Sequence, residues 1–277
     1  MVLLQQFRTC NRFIIPLLFL ALTFFGCAQL PTVRMTPAAA PAAINVAGAR
    51  WVTVEGANGR KFITAILRPQ GVGPFPVVVV LHGSIGLDER FVKVAEEVAH
   101  AGFLVVIGCW QAGEARTPGN ALCSEATPQA EWVADPAANS GKELIAVAKA
   151  LPDAIPDRIG LYGMSRGGHA ALWAAATGAG VRALVLDAPA HRPAINPMPP
   201  STLEIVGKVS VPILMLHGTA DKVIPVEQSR EYERAARALG KTIEVVYFDG
   251  VGHTVSVLPE SQAEARKRAI AFLRENL

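Results

Sequence analysis

Ile159-Gly160-Leu161-Tyr162-Gly163-Met164-Ser165-Arg166-Gly167-Gly168, running on into His169-Ala170-Ala171-Leu172, is the stretch on which the reading of this chain turns. A short apolar run reads as a buried strand, and the Ala-rich segment after it reads as a helix over 165–177. Between them Gly163-Met164-Ser165-Arg166-Gly167 supplies two glycines around one serine. Glycines there let the backbone turn sharply and let strand and helix approach closely, so that the Ser165 hydroxyl projects from the end of the sheet. With 24 Gly and 9 Ser in 277 residues, chance yields roughly 0.07 such five-residue matches, so the pattern carries weight.

Working outward, apolar runs bounded by Gly and Pro predict strands at Arg50–Glu55, Lys61–Arg68, Pro76–His82, Phe103–Cys109, Arg158–Tyr162, Ala183–Asp187, Ile213–His217 and Ile243–Phe248. Helical spacing recurs at 88–100, 139–151, 165–177, 226–239 and 259–275. Gly56-Ala57-Asn58-Gly59 joins the first two strands as a hairpin, and their alternation fits one-sided antiparallel pairing. The later strands, such as Val77-Val78-Val79-Val80-Leu81, are apolar throughout and fit burial on both faces. The expected fold class is α/β: a mostly parallel central sheet, helices on both faces and an N-terminal antiparallel hairpin. Two long connections, 111–138 and 190–210, follow strand ends and are expected to roof a ligand site. Trp110, Trp132 and Pro197-Met198-Pro199-Pro200 either line an apolar site or anchor those loops.

Half of the residues are hydrophobic (51%), and the formal charge is only +3, which argues against a nucleic-acid partner. Some of the apolar excess lies at the front. Residues 1–26 carry Arg8 and Arg12, no acid, and the apolar run Phe13 to Phe25, too short to span a bilayer. This reads as an export signal. Gly26-Cys27 allows lipidation of Cys27, hence membrane attachment through an N-terminal lipid; plain cleavage near Ala28 or an uncleaved anchor are the alternatives. Removing Arg8 and Arg12 lowers the charge from +3 to +1. Residues 27–49, rich in Pro and Ala, read as a tether to a domain over 50–277. The expected location is periplasmic or envelope-anchored in a bacterium. Export favours disulfides, and Cys109 and Cys123 bracket a loop whose closure is worth roughly 3 kcal/mol of chain entropy. Two free thiols are the other reading.

A serine hydroxyl needs a base, and the base needs an orienting carboxylate. Of six histidines, His253 comes last, in Phe248-Asp249-Gly250-Val251-Gly252-His253 just beyond the final strand, where the base belongs. His82, His100, His169 and His217 lack a strand-end acid in the right order, and His191 is a partial exception because it follows Asp187. Asp221, in His217-Gly218-Thr219-Ala220-Asp221, is the expected acid, with Asp187 the runner-up and Asp249 a turn residue. The backbone N–H of Arg166 and that of Ser84 (with Ile85 as alternative) are the expected oxyanion donors. His82 and His217 have no third ligand spaced to join them in a metal site.

Taken together, the His82-Gly83-Ser84-Ile85-Gly86, Gly163–Gly168, His217–Pro225 and Gly250–His253 segments resemble the α/β-hydrolase superfamily over nearly all of 50–277. They are most similar to its dienelactone hydrolase-like group and to prolyl oligopeptidase-type catalytic domains. The resemblance implies a Ser165–Asp221–His253 triad, no metal or organic cofactor, and a small-molecule ester or related acyl substrate. Two departures stand out. Dienelactone hydrolases carry Cys where this chain has Ser165, and where prolyl oligopeptidases carry a large β-propeller ahead of the catalytic domain, residues 1–49 stand here. The expected activity is carboxylic ester hydrolysis through an acyl-enzyme; peptidase, acyl-transferase and catalytically silent binding protein are the rivals. The oligomeric state stays open.

Overall fold

The computed structural model describes residues 32–41, 44, 46–56, 59, 61–110, 141–192 and 200–277. The expectations for the leader, Cys27, Cys123, Trp132, the 111–138 loop and Pro197 to Pro199 lie outside those residues.

Among the described residues one nine-stranded sheet runs in the order β1-β2-β3-β5-β4-β6-β7-β8-β9. Its strands are β1 (Arg34–Pro37), β2 (Ala49–Glu55), β3 (Lys61–Leu67), β4 (Phe75–Leu81), β5 (Leu104–Gly108), β6 (Ala154–Met164), β7 (Ala183–Asp187), β8 (Ile213–Gly218) and β9 (Ile243–Phe248). β1, β2 and β3 pair antiparallel, β3 pairs antiparallel with β5, and from β5 to β9 every pairing is parallel. The helices are α1 (Glu89–His100), α2 (Lys142–Ala150), α3 (Arg166–Ala176), α4 (Val226–Ala238) and α5 (Gln262–Asn276), with a 3₁₀ helix over Thr202–Lys208. This is the α/β-hydrolase fold. No described helix is long and apolar enough to cross a membrane.

The apolar strands lie where their composition puts them. Val77 to Val80 are wholly buried, each burial contributing roughly 1.5–3 kcal/mol. Leu161, Leu184, Leu186, Leu214 and Leu216 extend the same layer across β6, β7 and β8. The Gly56–Gly59 hairpin forms, with Gly59 N–H donating to the Gly56 carbonyl at 3.0 Å.

Three expectations need correction. Residues 34–37, read as tether, form edge strand β1 on β2, and Ile44 is buried in the core. The ordered sheet therefore begins at Arg34, because an uncovered β2 would leave a row of backbone donors and acceptors unpaired. β3 is not one-sided: it is interior, between β2 and β5, and Ala65, Ile66 and Leu67 are all buried. The third concerns 190–210. Its Thr202–Lys208 helix, capped by a Ser201–Glu204 capping box, packs on α3 and α4 and sends Ile205 and Val206 into the core. That part is a brace rather than a roof.

α3 starts hard against the sheet, and Gly167 is what permits it. A Cβ there would run into the carbonyl oxygens of Leu81 and His82, backbone atoms that cannot swing aside. Gly163 is equally tight against the Gly167 carbonyl. Gly167→Ala is expected to cost about 3 kcal/mol of stability, read as a lowered midpoint in thermal or urea unfolding.

Candidate active site

Ser165 caps α3 with φ 55° and ψ −115°, a conformation few non-glycine residues adopt. Four backbone hydrogen bonds hold it there: its N–H donates to the Asp187 carbonyl at 2.8 Å, while its own carbonyl accepts from Gly168 N–H at 3.0 Å, Ala190 N–H at 3.1 Å and His169 N–H at 3.4 Å. Among the described residues, the only other non-glycine residues with positive φ are Ala188 (46°) and Thr254 (62°). All three stand just beyond the C-terminal ends of β6, β7 and β9. Strain concentrated at one edge of a sheet points to a functional edge.

His253 follows β9, and its Nδ1 lies 2.6 Å from Asp221 Oδ2. An ionised carboxylate only accepts, so the ring donates from Nδ1 and leaves Nε2 free to take a proton. The Asp221 side chain is fully buried, and that of His253 is 20% exposed. Asp221 Oδ1 accepts from Val223 N–H at 2.8 Å and Ile224 N–H at 2.9 Å. Burial opposes ionisation of this carboxyl, but the hydrogen bonds from His217, His253 and Ile224 outweigh it and hold the group well below the usual carboxylate range.

The structure thus joins the expected base to the expected acid. Ser165 Oγ makes no hydrogen bond to His253 among the described residues. The loop after β4 crosses the serine closely enough that a Cβ on Gly83 would sit 3.4 Å from that of Ser165. Ser84 and Ile85 lie in that loop. Arg166 N–H is in the first turn of α3, where backbone donors lack intrahelical partners. Its guanidinium is pushed down to about 10 by burial.

Asp187, the runner-up acid, has another job. Its carboxylate accepts from Val255 N–H at 2.9 Å, from Ser256 N–H at 2.8 Å and from the Ser256 hydroxyl. With its carbonyl on Ser165 N–H, this one residue ties the elbow to the loop that carries His253. Asp249 sits in a turn and accepts from the Thr219 hydroxyl at 3.0 Å. Trp110 is buried, and its indole N–H donates to the His82 carbonyl at 3.2 Å, so it acts as a loop anchor.

Sequence reasoning missed His217. It is buried at the end of β8, with Nε2 at 3.1 Å from Asp221 Oδ2 and Nδ1 at 2.7 Å from Ser229 Oγ. The separation of four residues from Asp221 across a turn was its one available signal.

The dienelactone hydrolase family matches residues 62–275 of this chain. A candidate carboxymethylenebutenolidase of Methylorubrum extorquens is 29% identical over 199 residues, an alignment covering 67% of this chain and 65% of that one. This chain therefore spans slightly less than two thirds of that relative's length. Among solved structures, a dienelactone hydrolase-like promiscuous phosphotriesterase from metagenomic libraries superposes with a TM-score of 0.65 at 16% identity, covering 90% of this chain and 99% of that one. A puromycin-hydrolysing peptidase of Mycobacterium tuberculosis superposes at 0.66 with 20% identity, over 84% of this chain but 40% of its own. At these identities the two structures establish the shared fold.

Asp187→Ala would strip three buried donors of their acceptor. It is expected to cost about 2–5 kcal/mol of stability in denaturant titration and to lower turnover by loosening the His253 loop. Burial also pushes His82 and His169 down to about 4, and His191 well below its ordinary value. These rings stay neutral in the fold at pH values where the unfolded chain protonates them, so their contribution is complete above about 6.5. It is lost as pH falls from about 6.5 towards 4, and the melting temperature should fall over that window. Asp187, raised by burial, works the other way above its ordinary value. His169→Asn, which keeps a donor for the Ala190 carbonyl now 3.0 Å from Nδ1, should flatten the dependence.

Proposed function

This chain belongs to the dienelactone hydrolase family, and from that premise we propose that it is a serine hydrolase cleaving carboxylic esters through Ser165, His253 and Asp221. One observation carries the reading: His253 Nδ1 hydrogen-bonded at 2.6 Å to the buried Asp221 carboxylate, two strands along from a strained serine elbow. Such a dyad orients a base, and the elbow presents a hydroxyl to it.

Ser165 Oγ attacks the ester carbonyl as His253 Nε2 takes its proton, and Asp221 stabilises the imidazolium. The oxyanion receives the Arg166 and Ser84 backbone N–H groups. Collapse breaks the bond to the alcohol oxygen, which leaves with the proton from His253 and an acyl-Ser165 behind it. Water, deprotonated by His253, then releases the acid and restores the serine. Protein groups and water carry every step. Support for serine chemistry within a family whose dienelactone-cleaving members carry Cys comes from Ser165 itself occupying the elbow.

We also propose that the protein is exported through its first 26 residues and that Cys109 pairs with Cys123. The composition of 1–26 supports the first, and the disulfide-bonded state of the buried Cys109 supports the second. N-terminal sequencing of the mature protein checks export: a start at Cys27 or near Ala28 agrees with it, and a cytoplasmic Met1 form overturns it.

A fluorophosphonate probe is expected to label the wild-type protein and not Ser165→Ala; equal labelling of both, or of neither, overturns the proposal. Ser165→Ala and Asp221→Asn should lower turnover of p-nitrophenyl esters by about 10³–10⁴-fold or more. Faster turnover of aminoacyl-anilides than of esters would instead identify a peptidase.

A further inference from the structure

Asp221 Oδ2 is shared. It receives His253 Nδ1 at 2.6 Å and His217 Nε2 at 3.1 Å, and no mechanism step so far uses the second ring. His217 Nε2 also lies 3.0 Å from the Ile224 carbonyl. Both neighbours of that nitrogen only accept, so it must carry a hydrogen. Nδ1, on the other side of the ring, lies 2.7 Å from the Ser229 hydroxyl oxygen. Ser229 and His217 are both wholly buried, so neither can exchange these partners for water.

We propose that His217 is a positioning residue for the catalytic acid: with its ring held at Nδ1 by Ser229, it pins Asp221 Oδ2 and draws off part of the charge that Asp221 would otherwise offer to His253. The inference rests on the triad reading above. An oxygen with two N–H donors polarises each less than an oxygen with one. His217 therefore moderates the pull that Asp221 exerts on the His253 Nδ1 hydrogen. Oδ1, already on two backbone N–H groups, cannot substitute without breaking them.

Other charged and titratable groups surround the pair. Lys222, beside Asp221, is exposed. β9 places Tyr247 opposite His217 in register, its hydroxyl bonded to Glu233. α4 presents Ser229 and Tyr232, the latter stacked on the His191 ring at 4.4 Å. Burial keeps His191 neutral, whereas Asp187, held by Val255 and Ser256, also acts electrostatically on His253. From α5, Arg266 reaches the Ser256 carbonyl and Glu97.

His217→Phe keeps bulk and removes the donor; His217→Gln keeps a donor; Ser229→Ala leaves the ring but removes the hydroxyl that holds its Nδ1 side. Each is assayed on a p-nitrophenyl ester, with the active enzyme counted by fluorophosphonate labelling so that misfolded protein does not enter the rates. His217→Phe is expected to lower kcat about 10- to 100-fold, as loss of an outer orienting partner does, with KM little changed. It should also move the acidic limb of the kcat/KM profile upward by about half a pH unit or more. Ser229→Ala should move the limb the same way by less, and His217→Gln should restore most of both. A His217→Phe enzyme with an unmoved limb, or a Gln variant no better than Phe, overturns the proposal. Ser229→Ala carries the same test if His217→Phe does not fold, an unmoved limb again counting against it. The triad reading fails separately, through labelling or turnover that survives Ser165→Ala.

Discussion

A buried carboxylate that water cannot reach must take its donors from the chain, and Asp221 takes four: two backbone N–H groups on one oxygen and two histidine rings on the other. Each donor comes from a segment that has to be in place for the bond to exist. His217 ends β8, Val223 and Ile224 belong to the turn before α4, and His253 follows β9. The geometry of the acid is therefore a statement about the whole C-terminal half of the sheet. Remove one donor and a desolvated charge is left underpaired, which costs more than the bond was worth.

Asp187 does for the backbone what Asp221 does for the side chains. Its carbonyl holds the Ser165 amide, and its carboxylate holds the amides of Val255 and Ser256. Ser165 and Thr254, two residues with positive φ, are thus braced through the same residue from opposite sides. Strained backbone persists only where neighbours over-determine it. Here the wholly buried β7 and the buried second half of β6, residues 159–164, supply a frame stiff enough to do so.

Much of this was legible in the residues. Val77 to Val80 and Ala183 to Leu186 read as buried strands because nothing polar interrupts them, and Gly163 and Gly167 on either side of Ser165 read as a tight turn because glycine permits one. Helices such as 226–239 emerged within a residue or so of Val226–Ala238 from spacing alone. Arg34 to Pro37 did not read as a strand: four residues in a Pro- and Ala-rich stretch carry no periodicity, and only the open edge of β2 makes them one. Thr202–Lys208 was hidden for a similar reason, since its Ile205 and Val206 find their core only once α3 and α4 lie side by side.

For the site, chain order and strand ends were enough to pair His253 with Asp221, because a parallel sheet brings successive C-terminal ends to one edge. They could not assign Asp187 its clamp, nor bring Ser229 to His217. Those contacts join residues 68 and 12 positions apart through side chains whose direction depends on packing. Sequence by itself determined the kind of fold and which residue types stand at the sheet's edge, since hydrophobic pattern and glycine sterics are local. Which hydrogen bond each polar group makes was decided only in the tertiary structure, because burial removes water as an alternative partner and leaves each donor the acceptor that the fold brings to it.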